Sequence, residues 1–274
     1  MKNTDLWGPI RTDDTTCLYW SFPQCELWIR RVTDEWFVLT QHAQDYALPV
    51  ATHHTTDNLP LEAAIPVDPP EVNGWSRFVT LQQDELGLLP ALPDRPLVIR
   101  PSMSSTLLPG RWAQFFLAIP VWANLVTLKS KEQTIFQEIP LTLLSNTWFG
   151  NTTGGELCYA LDTPFHRSPD EIQKNPVTAI CPLTIKNSSK ELLQFQRLCL
   201  HVENLELYQE ETQLWTNQIT VTYKGAELLS QIDIKKTPAR ESQGKTTRLR
   251  TARVPANKGA IRKTFDRFKE ITGL

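Results

Sequence analysis

Proline sets the limits on what this chain can form. Twenty prolines are spread through 274 residues, against eleven glycines and two methionines. Each proline removes a backbone donor and clashes with the preceding helical turn, so a long helical bundle is excluded. Between the prolines lie short runs rich in aromatic and β-branched residues, the composition of strands. TTCLYWSF, CELWIRRV and EWFVLTQ come first, the last two joined by a turn at Thr33-Asp34. SRFVTLQ, PLVIRP, QTIFQEI, TWFG, GELCYALDT and VTAICPLTIKN follow, then LLQFQRLCLHVENLELY, LWTNQITVTYKG and LLSQIDIKK. WAQFFLAIPVWANLVTL reads as a strand pair or one bent strand, with Pro120 at an edge, bulge or corner. Leu198, Leu200 and Val202 alternate with Arg197, Cys199 and His201, the period of a half-buried strand.

About a dozen short strands separated by turns predict a mainly β protein of two antiparallel, immunoglobulin-like β-sandwich units. The proline cluster in LGLLPALPDRP marks the boundary between them. The expected organisation is therefore a first sandwich over 1–90 and a second over 91–235. A basic linker over 236–258 and a short amphipathic helix over 259–274 complete it.

The hydrophobic share of 41% suffices for a core. No apolar run reaches the roughly 18 residues of a membrane span, and the opening residues lack a secretory pattern. The expected location is the cytoplasm, with peripheral attachment to the inner face of the membrane. Five cysteines, an odd number with no Cys-x-x-Cys pair, then read as reduced core thiols.

Charge is distributed unevenly. Between Lys235 and Lys263 stand ten Lys or Arg and one acid, Glu241, a net +9 in a chain of net −2. The last eleven residues balance, which leaves −11 on residues 1–234. The basic linker residues are Lys235, Lys236, Arg240, Lys245, Arg248, Arg250, Arg253 and Lys258. Beyond them Ile261, Phe265, Phe268 and Ile271 fall at spacings of four, three and three, one stripe of a helix, with Arg262 and Lys263 beside it. These residues are the expected partner- or membrane-binding device. The competing arrangement lays the same cations against the acidic body. Nucleic acid is the weaker partner, because no aromatic side chain stands between Lys235 and Thr264 to stack on bases.

Catalytic patterns are sparse. His53-His54 is the one adjacent histidine pair, and no zinc-type spacing surrounds it. No metal ligand and no cofactor is assigned. Cys158 and His166 with Asp162 between them permit a nucleophile and base, and Trp148 lies close in sequence. A ligand- or carbohydrate-binding protein or hydrolase with a site near Trp148, Cys158 and His166 is the alternative reading. The Gly150–Gly155 stretch lacks the Lys-Ser/Thr ending of a phosphate loop and reads as a strand-connecting turn.

Several long stretches carry a resemblance. PDRPLVIRP (93–101), PGRWAQFFLAIPVWANL (109–125), TWFGNTTGGELCYALDT (147–163), AICPLTIKNSSKELLQFQRLCLHVENLELY (179–208) and LWTNQITVTYKG (214–225) resemble the domain of unknown function family numbered 432, found in archaea and bacteria. The resemblance implies a largely β protein and transfers no catalytic motif. It also implies a genomic neighbourhood, because genes of this family often lie beside those for small-conductance mechanosensitive channels. The expected function is a non-enzymatic accessory or regulatory protein, tethered through its tail to a membrane or to such a channel.

Overall fold

In the computed structural model, the short aromatic and β-branched runs of the sequence become strands, some buried on one face and others along their whole length. The structure describes residues 6–42, 65–80, 85–128, 133–225, 228–239, 242, 244–255, 260–262 and 264–266. The chain is mainly β. The helical pieces among the described residues are two three-residue 3-10 turns, Pro169–Glu171 and Val202–Asn204. No helix among the described residues is long and apolar enough to cross a membrane.

The strands run in chain order as β1 (Gly8–Pro9), β2 (Cys17–Ser21), β3 (Cys25–Val32), β4 (Glu35–His42), β5 (Ile65–Val67), β6 (Ser76–Val79) and β7 (Leu86–Ala91). Then come β8 (Leu97–Arg100), β9 (Ser105–Leu107), β10 (Trp112–Pro120), β11 (Trp122–Thr127), β12 (Ile135–Pro140), β13 (Asn146–Phe149) and β14 (Glu156–Asp162). The remainder are β15 (Thr178–Asn187), β16 (Leu193–Phe195), β17 (Arg197–Leu200), β18 (Leu207–Glu210), β19 (Gln213–Tyr223), β20 (Ser230–Pro238), β21 (Thr247–Arg250), β22 (Ala260–Arg262) and β23 (Phe265–Asp266).

Two compact units divide these strands, the first holding β1–β7, β11 and β12 and the second the rest. The first unit contains an antiparallel sheet of order β5-β2-β3-β4-β6 and another of order β1-β7-β11-β12. In β3, Cys25, Leu27 and Ile29 are buried while Glu26, Trp28 and Arg30 are half-exposed, the period of two that a one-faced strand requires. Arg30 then lies over the rings of Phe37 and Trp75, at 4.9 and 5.2 Å. β7 is buried along its whole length despite Pro90, and pairs with β11 from Leu86↔Thr127 to Ala91↔Trp122.

The second unit holds a seven-stranded sheet, β10-β15-β19-β18-β21, with β20 on the other part of β19 and β22 on β20. Beside it are the five-stranded β13-β14-β8-β17-β23 and the pair β16-β9. Two pairings, β14 with β8 and β15 with β19, are parallel, a departure from the wholly antiparallel expectation. β15 accordingly reads as a near-continuous apolar run, buried at nine of its ten positions.

The tail departs most from the sequence reading. Residues 260–262 and 265–266 are strands rather than the start of a helix. Ile261 and Arg262 pair through their backbones with Gln231 and Ser230 of β20. Phe265 pairs with Leu198 and is buried against the rings of Phe195 and Tyr223, at 5.2 and 5.8 Å. The expected linker is likewise built into the sheets: Lys235 and Lys236 belong to β20, and Arg248 and Arg250 to β21. The physical reason is edge satisfaction. β17, β18 and β20 each present a row of backbone groups that only another strand can pair, and pairing them outweighs an isolated short helix. Arg240, Lys258, Lys263, Phe268 and Ile271 lie outside the described residues, as do His53 and His54.

Candidate metal centre

The five-stranded sheet of the second unit brings together side chains that the sequence leaves far apart. On β14, Glu156 and Cys158 are two residues apart and therefore share a face. On β17 and just beyond it, Cys199 and His201 do the same. β8 lies between the two strands, with Val98 registered against both Ala160 and Cys199. Cys158, Cys199, Val98 and Phe149 form one buried cluster.

At its margin, ligand atoms of Glu156, Cys199 and His201 all lie within 4.8 Å of one another. His201 Nε2 is 3.2 Å from Glu156 Oε1, and Cys199 Sγ is 3.8 Å from the same oxygen. The other ring nitrogen, Nδ1, is 2.8 Å from Glu203 Oε1. Glu203 Oε2 is buried without a hydrogen-bond partner. Imidazole, thiol and carboxylate thus converge on one point, the donor set of a zinc-type ion. A carboxylate on the far nitrogen of a ligating histidine is also the usual support of such a ligand.

The two thiols are hydrogen-bonded to each other. That bond holds Cys158 below the ordinary thiol range, against burial and the nearby Glu156 charge. The same bond, with burial next, pushes Cys199 up. Oxidation is not the outcome the backbone suits. β14 and β17 stand two strand spacings apart, roughly 9.5 Å, whereas a disulfide needs Cα atoms within about 7 Å. All five cysteines are free and buried.

The candidate ligand site does not assemble as expected. The structure pairs Cys158 with Cys199, whereas His166 Nδ1 contacts Glu171 at 3.3 Å and its backbone bridges to Phe116. Trp148 is 46% exposed, with its indole nitrogen donating to Asn151 O at 3.0 Å. The Gly150–Gly155 stretch is the turn between β13 and β14.

Three of the described basic tail residues contact the body. Arg253 Nε donates to Leu92 O at 2.8 Å, and Arg248 is 3.4 Å from Glu206. Lys235 donates to Gln218 Oε1, while Lys236 and Lys245 are exposed. Val254 N donates to Glu203 O at 3.0 Å, tying the tail to the residue that orients His201.

The sequence reading missed Glu156, Cys199, His201 and Glu203. Their signal is present as Glu-x-Cys at 156–158, a spacing that shares one face of β14, and Cys-x-His-x-Glu at 199–203, which runs from the end of β17 into the 3-10 turn Val202–Asn204. Comparison with known proteins adds a family: the model described as a protein of unknown function, DUF432, matches residues 6–269. No curated protein and no solved structure matches the chain.

Proposed function

We infer that this chain, which belongs to the DUF432 family, is an ion-dependent accessory β protein. Its second unit would hold a zinc-type divalent ion through Glu156, Cys199 and His201. The observation that carries the reading is the convergence of carboxylate, thiol and imidazole within 4.8 Å, backed by Glu203 on the far nitrogen of His201. Thiolate with imidazole and one carboxylate suits zinc.

Metal analysis of the full chain, with cobalt substitution, tests this. One ion per chain and a tetrahedral cobalt spectrum with thiolate charge-transfer bands are expected, both lost in Cys199→Ser and His201→Gln. A wild-type chain that takes up neither zinc nor cobalt would leave a proton on His201 Nε2 as the occupant and end the proposal.

The two units are proposed as face-to-face sheet pairs. In the first, Phe78 of β6 meets Phe136 of β12 edge-on at 5.7 Å, and His42 Nε2 reaches Pro140 O at 2.9 Å, each joining its two sheets.

A further inference from the structure

One end of the seven-stranded sheet is apolar and basic on an otherwise acidic body. The registers Trp112↔Lys186, Lys186↔Thr222 and Thr222↔Gln231 align the start of β10, the end of β15, the end of β19 and the start of β20. Three turns therefore meet there. Leu108–Arg111 is closed by Arg111 N on Leu108 O at 3.2 Å. Asn187–Leu192 is gathered by buried Asn187, whose side chain donates to Leu107 O at 2.9 Å and Glu191 O at 2.8 Å. The third follows Tyr223, whose carbonyl accepts Ser188 N at 2.9 Å.

These turns expose large apolar side chains: Trp112 at 64%, Leu108 at 57%, Leu192 at 52% and Leu228 at 61%. Among them are Arg111, Lys186, Lys190 and Lys224, all exposed, and one described acid, Glu191, which accepts the Tyr223 hydroxyl at 3.1 Å. Counted over the sequence of these turns with Glu227 included, four cations stand against two acids, a net +2, although residues 1–234 as a whole carry −11.

We propose that this rim is a docking surface for an anionic lipid bilayer. Trp and Leu at turn tips suit the headgroup–acyl boundary, and the interleaved cations suit its negative potential. A rigid arrangement favours this occupant, because Asn187 fixes two of the turns before any surface is met. The tail strand β22 registers Arg262 against Ser230 at the same end.

Sedimentation of the full chain with vesicles tests it. Binding to phosphatidylglycerol–phosphatidylcholine mixtures, absent with phosphatidylcholine alone, is expected. Lys186→Ala and Lys190→Ala should each weaken partitioning about fivefold, and Trp112→Ala should weaken it with an unchanged melting curve. Two outcomes overturn the proposal. One is no wild-type binding to anionic vesicles, the result expected of a surface that serves a protein partner. The other is equal binding by all three variants, which would move the contact to the tail cations. Neither outcome depends on the ion site.

Discussion

Cys25 and Cys181 illustrate how burial alone changes a side chain's chemistry. Each thiol is pushed up from 9.0 to about 12, chiefly by desolvation. The neutral thiol is the favoured form in the fold, so its stabilisation is complete below about pH 9 and is lost as pH rises toward 12. Between those values the unfolded chain releases protons that the folded chain keeps. The urea midpoint should therefore fall between about pH 8 and pH 10.5, and less steeply in Cys181→Ala. A pH-independent midpoint would contradict this. Burial of these thiols was legible in the sequence because each stands among apolar strand residues. The Glu156–Cys199–His201 convergence was not. Same-face spacing can be read along one strand, but no local signal says that β14 and β17 flank β8, since both pairings, one parallel and one antiparallel, join segments distant in sequence.

Single elements show where periodicity misleads. Ile261, Phe265 and Phe268 fit a helical stripe, yet 265–266 is a strand, because short apolar patterns cannot report an open sheet edge nearby. β3 and β4 were legible, since aromatic and β-branched runs around the short polar Thr33-Asp34 turn specify a hairpin without outside help; Thr33 indeed adopts a φ of +54°. The tail strands should contribute to stability. Phe265→Ala removes a buried ring that meets Phe195 and Tyr223, and should cost about 3–5 kcal/mol in denaturant unfolding. Removing residues 236–274 should lower the melting temperature or precipitate the protein, because it strips partners from β17, β18 and β20. A truncated chain that melts like the full one would show the tail to be an appendage.

At the scale of the molecule, the described chain changes unit after Ala91, after Pro120 and after Leu143. The proline cluster near Leu92 was legible as an interruption, and Pro120 as a corner. What was not legible is that the strand after Pro120 returns to the first unit, because β7 needs β11 as its partner. A fragment ending at residue 91 should therefore stay unfolded by circular dichroism, having β7 without β11 and β12. Cooperative melting of that fragment would show β1–β7 to be self-sufficient. The three crossings also bear on damage tolerance. A backbone cut after Ala91 would leave its two fragments joined by the β7–β11 pairing inside the first unit, so a nicked molecule stays whole under native conditions and comes apart only when denatured.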